Sequence, residues 1–249
     1  ERPSEPPDSL THFADTGYIR YQAGALVALL DVAPVGPDYQ PGHAHADTLS
    51  FELSLFGQRV FVNSGTSTYE ADEERNRQRS TRAHNTVEIG GENSSEVWKA
   101  FRVARRAYPQ GLAIREGEGE TVVSCAHDGY RRLKGRPVHR REWRFLEGEM
   151  VIRDEVVFGR PRRVAASAAP TKAASFHLHP DVGVDAARGD FVVLTLSSGE
   201  RVEFSCTGGL LAIEETTWHP EFGLSVPNKV IRVGFDGDTL ECRLRWGGT

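Results

Sequence analysis

Between residues 18 and 246 the chain is built from short runs in which apolar and polar residues alternate, each closed by a glycine-bearing turn. Side chains alternate faces along a strand, so this period of two specifies strands with one buried face. "TLSFELSL" and "RVFVN" flank a turn read at Gly57-Gln58. "HRREWRFLEGEMVIRDEVVF" turns at Glu147-Gly148-Glu149, "DFVVLTLSSGERVEFSC" turns around Ser198-Gly199, and "NKVIRVGFDGDTLECRLRW" carries Asp236-Gly237, a strong hairpin signal. Helical periodicity is nearly absent. The pattern predicts an all-β fold, a large antiparallel β-sandwich of the supersandwich kind spanning residues 11–249, preceded by a Pro-rich linker or tail over residues 1–10. One non-β stretch stands out, "ADEERNRQRSTRAHN", read as a long polar loop over about residues 70–85 with room for a helical turn.

A chain of 249 residues can bury a sizeable core. No run of about 18 apolar residues is present, so no membrane span is expected, and the first ten residues lack the basic and apolar regions of a signal peptide. The chain does not start with Met and is expected to be part of a longer protein. A formal net charge of -5 argues against nucleic acid as a partner. The positive charge is nonetheless clustered, at Arg75, Arg77, Arg79 and Arg82 and again between Arg131 and Arg144. Such runs are either solvated faces or a basic cleft for an anion. The three cysteines, Cys125, Cys206 and Cys242, form no disulfide framework, though one pair could bridge.

The most pointed stretch is "GHAHADTLSFEL", residues 42–53. If extended, it lines His43, His45 and Asp47 on one face, in register with Leu49, Phe51, Leu53 and Leu55. A catalytic site, a metal site and the polar mouth of a strand all fit. Imidazoles suit metal ligation and proton transfer, and a nearby carboxylate can fix their tautomer. The spacing departs from that of a cupin: Glu52 lies too far beyond His45 and on the opposite face, and no second cupin signature surrounds His84.

"GHAHADTLSFELSLFGQRVFVNSGT", "RSTRAHNTVEIGGENSSE" and "AHDGYRRL", with "FHLHP" more loosely, resemble the C-terminal β-domain of the heparinase II/III-like polysaccharide lyases. The resemblance implies a β-sandwich packed against an N-terminal α/α toroid, with an acidic polysaccharide bound between them and cleaved by β-elimination. It implies a catalytic cleft histidine at His43. It also implies a divalent metal, zinc or another, at His45, Asn63 and His84. Asn63 stands where the family has Asp, so a weaker zinc site, or none, is expected; Asp47 is close enough in sequence to supply the missing charge. Arg79 and Arg82 are expected to contact the acidic sugar, with His127, Tyr69 and Tyr130 as further substrate-facing candidates; packing is the simpler role for the two tyrosines, and a buried, hydrogen-bonded role fits His127 equally well. His177 and His179 read as packing or surface residues. A periplasmic or secreted location is the family's expectation. The helical half is not visible here, so the isolated chain is expected to be inactive or nearly so. The rival expectation is a non-catalytic carbohydrate-binding or assembly module serving exopolysaccharide production.

Two of these readings compete. A turn at Gly57-Gln58 pairs Glu52 with Asn63 and leaves His45 seven residues beyond, roughly 23 Å away at ~3.3 Å per residue. For His45 and Asn63 to share an ion, "HAHAD" must fold back instead of extending the strand.

Overall fold

The computed structural model describes residues 9–159 and 170–247. Eight antiparallel strands form the largest sheet, in the order Gly183–Arg188, Phe191–Thr195, Arg201–Thr207, Thr239–Trp246, Glu149–Phe158, Pro137–Leu146, Glu120–His127 and Pro109–Gly117. A five-stranded sheet runs Ser9–Phe13, Tyr18–Ala23, Leu26–Asp31, Phe51–Leu55 and Gln58–Phe61. A four-stranded sheet runs Leu210–Trp218, Val226–Phe235, Lys172–His177 and Val87–Ile89. The two smaller sheets meet edge to edge where Phe61 pairs with Leu178, and His179 N donates to Val60 O at 2.9 Å. Together they make the layer that faces the eight-stranded sheet.

The interface between the layers is aromatic. Tyr21 stacks on Phe145 with ring centroids 4.2 Å apart, and Phe61, Phe176 and Phe204 meet at 5.0 to 6.2 Å. Large side chains with few rotamers give high apolar burial at such a junction. The alternation that predicts strands also selects this core: Phe51, Leu53 and Leu55 are all buried, as are Trp143, Phe145, Met150 and Ile152.

The all-β sandwich is thus as expected, with local corrections. The first strand starts at Ser9, inside the stretch read as a tail, and residues 1–8 lie outside the described residues. The hairpin of Phe51–Leu55 and Gln58–Phe61 turns at Phe56-Gly57, not Gly57-Gln58. Leu55 pairs with Gln58, and both turn residues have positive φ, 52° and 75°, as a type I′ turn requires. Asp236-Gly237 closes no hairpin. Val226–Phe235 pairs inside the four-stranded sheet and Thr239–Trp246 inside the eight-stranded one, so this turn carries the chain between layers.

"HAHAD" is not a strand. Regular pairing begins at Phe51, and the chain reverses just before it: Ser50 N donates to Asp47 O at 2.8 Å and Leu49 takes φ +64°. Side chains satisfy the backbone that a neighbouring strand would otherwise pair. Thr86 Oγ1 donates to Thr48 O at 3.1 Å, and Arg141 Nη1 to Leu49 O at 2.9 Å. The fold-back required for His45 and Asn63 to share a site is therefore present.

Candidate metal centre

The polar stretch at 70–85 contains a short helix, Glu73–Gln78, and a single 3-10 turn, Thr81–Ala83. Asp72 caps the helix, its side chain accepting from Arg75 N at 2.7 Å. Arg75 and Arg79, four residues apart, share one side and are both fully buried. Arg79 donates to Ala44 O at 2.9 Å, Lys99 O at 2.9 Å and Arg102 O at 3.2 Å. Its own carbonyl accepts from Ala46 N at 2.9 Å, and Thr81 Oγ1 donates to Ala46 O at 2.8 Å. These bonds clamp the residues on both sides of His45.

His84 is fixed by its neighbour. Asn85 is buried and donates to Phe51 O at 2.8 Å and Val62 O at 3.1 Å, while its Oδ1 accepts from His177 N at 2.6 Å. That stitch brings His84 against the folded-back loop, with His45 Nδ1 and His84 Nε2 3.2 Å apart. Asp47 completes a set whose ligand atoms all lie within 4.8 Å of one another.

This donor set fits a divalent cation. Tetrahedral zinc with nitrogen ligands at ~2.0 Å places those nitrogens roughly 3.3 Å apart, close to the separation seen here. Burial lowers the pKa of His84 to about 3. Burial, then His84 and the nearby arginines, lowers His45 well below its ordinary value. Both imidazoles are therefore neutral, as ligation demands. Among the described residues, the buried His84 Nδ1 has no hydrogen-bond partner. Burial raises Asp47 to about 6, so a cation there would displace a proton held weakly at neutral pH.

The set opens into a cavity of about 340 Å³ lined by His43, His45, Asp47, Asn63, Thr66 and Tyr69, with Gly65 and Arg75 completing the wall. Asn63 borders this cavity, but its Oδ1 accepts from Gly65 N at 3.1 Å. Among the described residues Asp47 is the carboxylate that joins the two histidines in the donor set. Gly65 has φ +77° and packs so closely that a Cβ would lie 2.0 Å from His219 O, so the Asn63 loop is pinned at a position only glycine can fill. His43 is exposed at the rim, 5.3 Å from the Tyr69 ring and 6.3 Å from that of Phe101, and Phe222 extends the aromatic cluster, 4.9 Å from Tyr69.

Of the residues singled out from the sequence, His43, His45, Asp47, Asn63 and Tyr69 line this one cavity, and His84 lies against His45. The others do not join them. Arg79 is sealed behind the loop, its donors taken by carbonyls, and cannot meet a sugar. Arg82 is exposed in a neighbouring depression, paired with Glu214 at 2.6 Å. His127 is fully buried against His139 at 3.2 Å, and Tyr130 is buried with its hydroxyl donating to Val87 O at 2.7 Å. Both are core residues because their polar atoms find partners inside.

Arg75 was not singled out individually, yet it belongs to the site. Its Nη1 lies 3.3 Å from both His45 Nε2 and Thr66 Oγ1, and its guanidinium sits 5.1 Å from the Tyr69 ring centroid. The signal was the helix spacing: Asp72 as cap puts Arg75 on the same side as Arg79.

A family model described as Heparinase II/III-like, C-terminal, matches residues 5–247. Among solved structures, the chain is similar to heparan sulfate lyase HepC from Pedobacter heparinus, with a TM-score of 0.77 and 17% identity, over 98% of this chain and 37% of that one. It is similar also to a structure of heparinase III, with a TM-score of 0.75 and 19% identity, over 97% of this chain and 37% of the other. The heparinase III BT4657 gene product gives 0.74 and 18%, over 97% and 36%. The chain therefore spans little more than a third of the length of these structures. No curated protein sequence matches it.

Proposed function

Since the chain belongs to the heparinase II/III-like C-terminal family, we propose that it is the β-sandwich part of a polysaccharide lyase that cleaves uronate-containing polysaccharide by β-elimination. One observation carries the reading: an exposed imidazole, His43, stands at the rim of the cavity lined by His45 and Asp47, with His84 buried against His45 to complete the donor set. Elimination needs the C5 proton removed, the C5–H electron pair turned into the C4–C5 double bond, and the departing O4 protonated. An imidazole that faces the substrate can take or give one of those protons. The aromatic rings of Tyr69, Phe101 and Phe222 offer faces for sugar rings beside it.

His45, Asp47 and His84 would hold a divalent cation, which supplies a Lewis-acidic charge for anionic groups when bound. The arrangement of these three around neutral nitrogens and one carboxylate supports zinc. An N-terminal α/α toroid in the same protein would supply the opposite wall of the cleft and the remaining acid-base groups, acting on polysaccharide in the periplasm or outside the cell. Asn63, whose amide oxygen is turned to its own loop, favours a second reading, a non-catalytic carbohydrate-binding or assembly module.

The test uses the full-length protein with heparan sulfate and with alginate, following the ultraviolet absorbance of an unsaturated uronate. The lyase reading expects product, and His43→Ala should remove most turnover while leaving oligosaccharide affinity nearly unchanged. Binding with no unsaturated product from any uronate polymer would establish the binding module instead.

A further inference from the structure

Cys206 and Cys242 lie directly opposite each other on the antiparallel strands Arg201–Thr207 and Thr239–Trp246. Directly opposed residues share a face of the sheet, and here it is the inward face: Phe204 and Leu244, a register pair two positions away, are fully buried, Cys242 is fully buried and Cys206 is 5% exposed. The kind of pairing matters as much as the register. Cys206 N donates to Asp190 O at 2.8 Å, so the peptide groups of Cys206 point to the strand on its other side. Toward Cys242 the pair is the non-hydrogen-bonded type, in which opposed Cα atoms approach to about 4.5 Å and side chains come closest. That separation lies at the short end of the range a disulfide spans, about 4.4–6.8 Å.

Cys125 has no such partner. It sits on Glu120–His127, separated from the Cys242 strand by Pro137–Leu146 and Glu149–Phe158. Three strand steps at ~4.8 Å put it roughly 14 Å from Cys242 across the sheet, too far to bridge.

We propose that Cys206 and Cys242 are an oxidisable cross-strand dithiol that closes to a disulfide by exchange with a small-molecule or protein disulfide. The Cys206 thiolate attacks one sulfur of the incoming disulfide and expels a thiol. Cys242 then displaces the second thiol from the mixed disulfide. Two thiols and one external disulfide become one internal disulfide and two external thiols, with both protons leaving on the departing sulfurs. Cys206 is the entry point because it is the less enclosed of the two, 5% exposed against the full burial of Cys242. Burial, then Asp190, raises its thiol to about 11, and burial raises Cys242 well above its ordinary value too, so the exchange is slow at neutral pH and accelerates in mild alkali. The bond would close a loop of the chain from 206 to 242, stapling the outer three strands of the large sheet to its middle.

The test is to incubate the native, reduced, full-length protein with oxidised glutathione at about pH 8.5, denature it, block free thiols with N-ethylmaleimide and map the peptides by mass spectrometry. The expected product has Cys125 alkylated and the Cys206 and Cys242 peptides linked, with the loss of two hydrogens. Its melting midpoint should exceed that of the reduced protein by on the order of 10 °C. That gap should persist in Cys125→Ser and vanish in Cys206→Ser. Three alkylated cysteines, a glutathione adduct left on Cys206, or a gap unchanged in a folded Cys206→Ser or Cys242→Ser protein would overturn the proposal.

Discussion

Arg141 ties the buried carboxylate of Asp154 to the loop that carries His45. Its Nε and Nη2 bind the two oxygens of Asp154 at 2.8 and 2.9 Å, and its Nη1 donates to Leu49 O at 2.9 Å and also to Asn85 O. Both side chains are fully buried, and His139 adds a second contact to Asp154 at 2.7 Å. Arg141 and its neighbouring His139 hold Asp154 near a pKa of about 2 against the effect of burial. Removing one partner leaves an uncompensated charge in the interior, so Asp154→Ala should destabilise the fold by about 3–5 kcal/mol. Chemical denaturation would measure it. A loss below about 1 kcal/mol would mean that water reaches the pair.

Two arginines expected to be alike should behave differently. Arg79→Ala removes three bonds to loop carbonyls from a fully buried position and should cost several kcal/mol, with loss of metal binding as the His45 loop loosens. Arg82→Ala breaks only an exposed pair with Glu214 and should change stability by less than about 1 kcal/mol. Parallel thermal melts and zinc titrations of the two variants check both statements.

Asn63→Asp restores a carboxylate to the cavity wall. Zinc affinity measured by titration calorimetry should rise by about tenfold or more. Unchanged affinity would place the ion wholly on His45, Asp47 and His84.

Stability should fall with acid. Burial lowers His177 to about 3 from its ordinary value near 6.5. A depressed histidine binds its proton only in the unfolded chain across that window, so its stabilising share is complete above about pH 6.5 and drains away as pH falls toward 3. At pH 5 the loss is about 2 kcal/mol for His177 alone. His84 adds a loss of the same sign, while Asp47, raised to about 6, works in the opposite direction between roughly pH 6 and 4. Denaturation in the presence of a chelator should show the decline, and His177→Gln should flatten it. Equal slopes for both proteins would contradict the burial of an uncharged imidazole there.

The strands were legible because alternation is a local signal that burial enforces: Trp143, Phe145 and Ile152 point inward as their spacing requires. Partners joined by a short turn were legible too, as with Pro137–Leu146 and Glu149–Phe158, whereas partners distant in the chain were not. Asp236-Gly237 reads in sequence as a hairpin turn, yet here it joins strands of two facing sheets, and only the full set of strands decides. The donor histidines were legible through their motifs. The fold-back that unites them was not, because it depends on donors from distant residues such as Thr86 and Arg141. Arg79 shows the matching blind spot, a polar side chain with buried partners that looks, in sequence, like one that awaits a ligand; the packing role read for Tyr130 and the buried role read for His127 are the ones they take.

Leu49 lives under two opposed selections. Its backbone sits in the left-handed region, which glycine would occupy without the penalty of roughly 1–2 kcal/mol that a branched residue incurs. Its side chain is fully enclosed, and full enclosure of a leucine contributes about 1.5–3 kcal/mol. With the cavity left by a smaller side chain added, burial outweighs the backbone penalty, so neither relaxing the hinge to glycine nor straightening it into the neighbouring strand comes free: one leaves a hole in the interior, the other carries His45 away from His84.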